Sequence, residues 1–532
     1  MIELSNIKLS PEDSEKLLRK KSARALRLDA GSIKEIKILK KSLDARRKSD
    51  VHWLYTLALD VEGNEEKLLA RAKNKNARHY EPLVYSIPKA ESALRPVVVG
   101  FGPGGMFAAL ALAEAGLRPI VLERGMDVDS RHKAIERFWE TGELDEASNV
   151  QFGEGGAGTF SDGKLNTGTH DKRIAFVLHS FHRFGAAESV TYDAKPHVGT
   201  DVLRRVVKNL REHIISLGGE VRFSTRFTGF ELENGKLSYV LAEGPEGEYS
   251  LPCERLVLAL GHSARDSFEY LRQKGLAMER KSFSMGVRIE HAQADVGLAQ
   301  YGEAYQKLPA AEYKLNCRFP EGDSAYTFCM CPGGYVVAAS SEKGGVVTNG
   351  MSYSGRAGEN ANAALLVSLS PEDFPGDDVL GGMYWQRDIE HRAYEYGGGS
   401  YLAPAQTVGD FLAHRRSSGC GRVEPSYRPG VVWGDIREVL PGKICSTLEK
   451  AIPELGKKLG FFCDGEAVLT APETRSSSPV RILRGESMES PSAGGIYPCG
   501  EGAGYAGGIT SAAVDGLRVA EAVIKACIPA KQ

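Results

Sequence analysis

The 532-residue sequence has no uninterrupted apolar run of about 18 residues, the length that a membrane-crossing helix needs, so we expect no membrane contact. The segment from Met1 to Pro11 lacks a basic stretch followed by an apolar one, so no secretory signal is predicted. Nine cysteines are scattered without the spacing of a disulfide framework. Together these absences favour a cytoplasmic protein with reduced thiols.

Metal-binding spacing is also missing. The 12 histidines and nine cysteines form no recognisable zinc pattern, so we predict no metal site. No fixed-period repeat is present either, and the chain is long enough for about three domains at roughly 150 residues each.

Positive charge is concentrated near the start of the chain. The net charge is −2, but residues 1–88 hold 19 Lys and Arg against 13 Asp and Glu. This excess predicts either the solvated face of a small domain or a surface for an acidic partner such as RNA. We favour the solvated face, because such an excess is common on protein surfaces.

The strongest chemical signal is a Gly-x-Gly-x-x-Gly motif at Gly100–Gly105, made by Gly100, Gly102 and Gly105 with Pro103 and Gly104 between them. It follows an apolar run, 97–99, that predicts a buried parallel strand. It opens an Ala- and Leu-rich segment, 104–116, that predicts a helix. This context predicts a βαβ unit whose helix N-terminus binds a dinucleotide pyrophosphate.

An acid stands where the motif requires one. Glu123 follows the second predicted strand, 119–122, and lies 23 residues after Gly100. A carboxylate at this place can accept the hydroxyl protons of an adenosine ribose. Arg124 follows it directly, and the pair is typical of FAD-binding rather than NAD-binding chains.

Two further glycine-rich segments, 153–159 and 499–509, favour FAD, as does the predicted strand that ends at Gly261. Successive glycines expose backbone N–H groups that suit the ribityl-pyrophosphate or the flavin edge. The tail segment lies between a predicted strand and a predicted helix, 509–526, whose dipole would stabilise reduced flavin. The predicted cofactor-binding residues here are Gly155, Gly156, Ala157, Gly158, Thr159, Gly261, Gly500, Glu501, Gly508 and Ile509.

These motifs resemble a bacterial family of uncharacterised FAD-dependent dehydrogenases, in the single-nucleotide-domain branch of the glutathione-reductase-type FAD superfamily. The resemblance also rests on segments 154–165, 261–266, 329–334 and 473–481. It implies an α/β fold with a discontinuous Rossmann-like FAD domain, an inserted α+β substrate domain and a small N-terminal α+β, ferredoxin-like domain. We assign 1–90 to the N-terminal domain, 91–280 and 461–532 to the FAD domain, and 281–460 to the insertion.

One further absence concerns the electron donor. Downstream of Gly105 there is no second strand, Gly-x-Gly-x-x-Gly turn and helix, so a dedicated NAD(P)H domain is not predicted. NAD(P)H remains possible as a transient donor at the flavin face.

The candidate catalytic residues are Arg475, Glu473 and His262. An arginine at the flavin face could anchor a substrate carboxylate or phosphate, and a histidine could act as acid or base. Each has an alternative structural interpretation. The pair Cys329 and Cys331 could be redox-active, but we expect two buried inert thiols, because neighbouring odd positions on a strand form disulfides poorly.

We therefore predict an FAD-dependent oxidoreductase that passes a hydride between non-covalently bound FAD and an unidentified small molecule. Two alternatives stay open: an FAD-dependent RNA-modifying enzyme that uses the basic N-terminal domain, and a non-enzymatic flavin-binding sensor or assembly protein.

Overall fold

The computed structural model describes residues 1–82 and 84–528. Its first domain has the element order βαββαβ and one antiparallel sheet with the strand order β2-β3-β1-β4, the arrangement of a ferredoxin-like domain. The elements are β1 (Ile2–Leu9), α1 (Leu17–Leu26), β2 (Ile33–Asp44), β3 (His52–Val61), α2 (Glu65–Ala72) and β4 (Ala77–His79).

The sequence predicts a helix from Pro11 to Leu28 with Ser10 as its N-cap and another from Thr200 to Leu217 with Thr200 as its N-cap, and both predicted starts were wrong. Helix α1 begins at Leu17 and not at Pro11, because the Asp13 carboxylate accepts a hydrogen bond from the Ser10 N–H at 3.0 Å and closes a local turn instead. The helix predicted at 200–217 is capped by Gly199, and Thr200 is its first helical residue. The Thr200 hydroxyl donates instead to the Ser161 carbonyl at 2.8 Å.

The second body is built on a five-stranded parallel sheet with the strand order β23-β11-β5-β6-β7. Four of its strands are short, fully buried apolar segments, as parallel strands covered on both faces require. The elements up to residue 280 are β5 (Val97–Val99), α3 (Pro103–Glu114), β6 (Ile120–Leu122), α4 (Val128–Thr141), α5 (Arg173–Arg183), α6 (Thr200–Ser216), β7 (Glu220–Arg222), β8 (Arg226–Glu233), β9 (Lys236–Gly244), β10 (Gly247–Pro252), β11 (Leu256–Leu258), α7 (Arg265–Gln273) and β12 (Met278–Arg280). Strands β8 to β10 form a separate antiparallel meander.

The third body is a seven-stranded sheet with the order β14-β15-β18-β13-β21-β19-β20, covered by an apolar core. Its elements and the return to the parallel sheet are β13 (Phe283–Ala292), α8 (Gln293–Tyr301), β14 (Asn316–Arg318), β15 (Ser324–Cys331), β16 (Tyr335–Ala338), β17 (Thr348–Met351), β18 (Asn360–Leu369), α9 (Gly381–Tyr396), β19 (Ala403–Thr407), α10 (Val408–Leu412), β20 (Val431–Trp433), α11 (Gly442–Gly456), β21 (Val468–Glu473), β22 (Val480–Ile482), β23 (Ile496–Pro498) and α12 (Ile509–Cys527). Strand β21 lies beyond residue 460 but pairs with β13, so the inserted sheet extends further along the chain than the predicted boundary.

Within residues 1–82 and 84–528, none of the helices combines the length and the apolar character that crossing a membrane requires.

Candidate functional site

The candidate site lies at the carboxyl edge of the parallel sheet. Gly100 follows β5, Glu123 follows β6, Gly261 comes shortly after β11, and Gly500 comes shortly after β23. Because these strands are parallel neighbours, the turns that follow them share one edge, where open α/β sheets bind ligands.

The glycine-rich segments are in direct contact there. A Cβ added to Gly156 would lie 2.8 Å from the Cα of Gly102, and a Cβ on Gly104 would lie 3.6 Å from the Cα of Gly500. A Cβ on Gly502 would lie 2.5 Å from the carbonyl of Gly261. Segments that are far apart in the chain therefore converge with bare backbone facing bare backbone.

Two helices begin at this edge. Helix α3 starts at Pro103 after Gly102, and α12 starts at Ile509 after Gly508. They pack closely, since a Cβ on Gly516 would lie 2.1 Å from the carbonyl oxygen of Gly104. The first N–H groups of each helix lack intrahelical partners, and both dipoles put positive potential at the same place. The chemistry of this edge therefore fits an elongated anionic nucleotide.

Glu123 joins three loops of the site. Its carboxylate is 5% exposed and accepts hydrogen bonds from the N–H groups of Phe101 at 2.8 Å, Gly125 at 2.9 Å and Gly153 at 2.9 Å. A carboxylate has about four acceptor positions. One acceptor position remains, on the oxygen that Phe101 contacts, so Glu123 can accept one more hydrogen bond.

The neighbouring Arg124 is occupied as well. Its guanidinium donates to Asp266 at 2.9 Å and stacks over the ring of Phe152 at 4.4 Å. Arg124 is therefore a paired cation that lies beside the edge.

A buried arginine that sequence reasoning missed holds the second glycine segment. Arg131 of α4 is 0% exposed and donates to the carbonyls of Asn149 at 2.8 Å, Val150 at 2.9 Å and Glu154 at 2.7 Å. A Cβ on Gly153 would meet the Arg131 side chain at 2.5 Å. No local pattern marks Arg131, because its partners are carbonyl groups of a loop.

The residues after this loop form one short helical turn, Ala157–Phe160, with Thr159 buried in it. A Cβ on Gly158 would lie 3.0 Å from Cγ1 of Ile509, so the turn packs against the start of α12. The Thr510 hydroxyl donates to the Leu165 carbonyl at 2.6 Å and ties the same two segments together.

A histidine and a glutamate face each other at the end of β11. Nδ1 of His262 lies 3.6 Å from Oε1 of Glu501, and their side chains are 10% and 25% exposed. Burial lowers the pKa of His262 to about 4 and raises the pKa of Glu501 to about 7. The Lys281 ammonium opposes the second effect. Near neutral pH the imidazole is therefore neutral, and the glutamate is about half protonated.

Two of the three candidate catalytic side chains lie in buried ion pairs. Arg475 is 7% exposed, and its Nε and Nη2 donate to Glu390 at 3.0 Å and 2.8 Å. Glu473 is 4% exposed and accepts from Nε and Nη2 of Arg288 at 2.9 Å and 2.7 Å. These contacts favour a structural role for both, whereas His262 lies at the site. Their catalytic assignment stays a prediction.

Comparison with known proteins finds a match to an FAD-dependent family in one part of the chain. Residues 282–476 match the family described as "FAD-dependent protein, C-terminal domain-like", and residues 1–61 match a domain of unknown function. An uncharacterized protein of Clostridium beijerinckii is 46% identical over 530 residues, which cover 98% of each chain.

The solved structures are only weakly similar to this chain, both in sequence and in backbone superposition. The flavin-dependent brominase Bmp2 is 12% identical with a TM-score of 0.37, covering 82% of this chain and 79% of its own. Glycine oxidase from Bacillus cereus is 12% identical with a TM-score of 0.30, covering 81% and 95%. Values this low do not indicate a shared activity.

Proposed function

Because the chain belongs to the same family as the uncharacterized protein of Clostridium beijerinckii and carries a region that matches FAD-dependent proteins, we propose that it is an FAD-dependent oxidoreductase. The observation that carries the proposal is the convergence of the glycine segments on two helix N-termini at one sheet edge. The parallel-sheet body is then a glutathione-reductase-type FAD domain, interrupted by the seven-stranded insertion.

Each part of the edge has a role in holding the cofactor. The Gly100–Gly105 turn and the start of α3 bind the pyrophosphate, and the free acceptor position of Glu123 binds a ribose hydroxyl. The Gly155–Thr159 segment and the start of α12 lie along the ribityl chain and the flavin. When bound, FAD supplies the hydride and electron chemistry, while the chain orients the reactants and sets the local charge.

Glu501, with His262 beside it, supplies the acid–base group of the proposed reaction. Because its pKa is about 7, Glu501 can both give and take a proton at neutral pH, and the neutral His262 imidazole lies beside it with Nδ1 3.6 Å from Oε1. Lys281, whose charge interacts with Glu501, lies at the start of the insertion and faces the same place. The small-molecule substrate then approaches from the insertion side, with NAD(P)H as a transient donor at the same face.

FAD titration tests the cofactor assignment. The Gly156→Ala substitution puts a methyl group 2.8 Å from the Cα of Gly102 and adds strain at a φ of +60°, so we expect at least about tenfold weaker FAD binding. Gly460→Ala is the matched control, because nothing lies within 4 Å of the added methyl. The measurement is flavin absorbance and fluorescence during titration of FAD-free protein. A colourless protein with no FAD affinity would contradict the proposal.

Anaerobic titration with NADH and with NADPH then tests turnover. Bleaching of the flavin band by one nicotinamide, followed by reoxidation with an added acceptor, is the expected result for an oxidoreductase. The non-enzymatic alternative would be favoured if neither nucleotide reduced the flavin and if no added acceptor reoxidised flavin that dithionite had reduced.

The RNA-modifying alternative gains little from the N-terminal domain. Several of its basic side chains pair with acidic ones of the same domain: Lys41 with Glu15 at 2.9 Å and Arg78 with Glu3 at 2.7 Å. This alternative would be supported if the full chain bound RNA at low salt and bound it more weakly as the salt concentration was raised.

A further inference from the structure

The inserted sheet carries two cysteines at an irregular point of strand β15. Phe328 pairs with Ala364 and Cys331 pairs with Asn362, so β15 has one extra residue between these pairs and forms a β-bulge. Cys329 lies in the bulge with a φ of +41°, in the left-handed region that non-glycine residues rarely occupy. A regular strand would separate the two side chains, but this bend turns the Cys331 sulfur back toward residue 329.

The side chain of Cys331 contacts the backbone of Cys329. The Cys331 thiol donates to the Cys329 carbonyl at 3.3 Å. Cys331 is 0% exposed, whereas Cys329 is partly exposed. Cys329 is therefore the residue of the pair that an incoming molecule reaches first, and Cys331 lies behind it, the division that a thiol–disulfide pair needs between its attacking and resolving cysteines.

Positive charge lies against the backbone at Cys329. Arg288 donates from Nη1 to the Cys329 carbonyl at 3.0 Å, and the Lys164 ammonium donates to the Met330 carbonyl. The nearby Cys331 thiol, and then the charges of Arg288 and Lys164, lower the pKa of Cys329 below the usual thiol range. Burial and the Asp162 carboxylate act in the opposite direction.

The exposed thiol lies on the side of the insertion that faces the proposed cofactor. Lys164 follows the Gly155–Thr159 segment in the chain, and charge on Cys329 contributes to the raised pKa of Glu501. The thiol and the proposed proton pair therefore share one region.

We propose that Cys329 and Cys331 form a redox-active dithiol that exchanges with low-molecular-weight disulfides. The Cys329 thiolate attacks one sulfur of RS–SR, forms a Cys329–SR mixed disulfide and expels RS⁻. The Cys331 thiol then passes its proton to the expelled RS⁻, attacks the Cys329 sulfur and expels the second RS⁻. The protein loses two electrons and one proton, and the disulfide becomes one RSH and one RS⁻.

Mass spectrometry of the whole chain treated with oxidised glutathione tests the exchange. In the unsubstituted protein, the peptide containing both cysteines should lose two hydrogens and resist alkylation. Cys331→Ser should accumulate the glutathione adduct on Cys329, because nothing resolves it. Cys329→Ser should leave Cys331 unmodified. Exposed Cys420 serves as the reference thiol, and Cys420→Ser should change none of these results.

The pH profile of alkylation provides a readout that a merely structural pair would not change. The alkylation of Cys329 by iodoacetamide should reach half its maximal rate at a lower pH than that of Cys420, and Cys331→Ala should shift the midpoint upward. Equal midpoints for Cys329 and Cys420, or no glutathione adduct on Cys329 in Cys331→Ser, would overturn the proposal.

These experiments are run on both FAD-free and FAD-loaded protein. Thiol exchange without bound flavin would stand even if the oxidoreductase proposal failed, so the two failures are distinguishable. Unfolding midpoints of the variants separate loss of reactivity from loss of fold.

Discussion

Replacing Glu123 with glutamine tests whether one carboxylate joins the loops of the cofactor site. The carboxylate accepts three backbone hydrogen bonds while 5% exposed. In Glu123→Gln the amide oxygen can keep the bonds from Gly125 and Gly153, but the NH₂ group then faces the N–H of Phe101. One buried donor without an acceptor costs about 1–3 kcal/mol, and the two retained bonds lose their charged acceptor at about 1 kcal/mol each.

The expected loss is therefore about 3–5 kcal/mol in the free energy of unfolding of the parallel-sheet body, measured by urea unfolding without FAD. Glu123→Ala leaves all three N–H groups unmatched and should cost more. Glu143→Gln is the matched control, since that side chain is 65% exposed and paired only at the surface. It should change the free energy by less than about 0.5 kcal/mol.

The same substitution addresses the cofactor. Loss of the remaining charged acceptor for a ribose hydroxyl, worth about 1.5–3 kcal/mol, should weaken FAD binding by roughly 10- to 150-fold. If Glu123→Ala unfolded at the same urea concentration as the unsubstituted protein and bound FAD equally well, the reasoning from these contacts would be refuted.

Three other substitutions follow from the packing and the charges. Gly516→Ala forces a methyl group to 2.1 Å from a carbonyl oxygen of α3 and should lower the thermal midpoint sharply, whereas Gly442→Ala, with nothing within 4 Å, should leave it unchanged or slightly raised. Arg288→Met strands a buried carboxylate and should cost about 3–5 kcal/mol in urea unfolding, whereas Arg481→Met at an exposed pair should cost less than about 1 kcal/mol. Because burial raises the folded pKa of Glu501 to about 7, its contribution to stability is present below about pH 4.5 and is lost as pH rises through 7. The unsubstituted protein should therefore lose stability relative to Glu501→Gln between pH 5 and 8. A constant difference between the melting temperatures of the two proteins across that range would contradict the assignment.

Local patterns predicted the local elements. The sequence predicts a helix from Glu65 to Ala72, and α2 has the same bounds, because Asn64 caps it and two glutamates fill its first turn. The glycine motif at Gly100 forms the predicted strand, turn and helix. In both cases the residues that decide the structure are neighbours in the chain.

Such local patterns could not predict which residues pair with the buried polar side chains. Arg475 pairs with Glu390 across 85 residues, and Arg288 pairs with Glu473 across 185. Arg475 alone was compatible with a substrate anchor and Glu473 with a catalytic acid, and only the tertiary fold supplies the buried partner of each. The bulge at Cys329 was missed for a related reason, since its extra residue is defined only by the pairing with β18.

The order of strands in the parallel sheet has a consequence for synthesis of the chain. Strand β23 pairs with β11, and α12 packs on α3, yet both come from the last 37 residues. A ribosome therefore releases the ferredoxin-like domain and the seven-stranded insertion before the nucleotide edge is complete. An interrupted nascent chain can fold its early domains, but it leaves the inner face of α3 uncovered and is marked for chaperones or proteases by that exposed apolar surface.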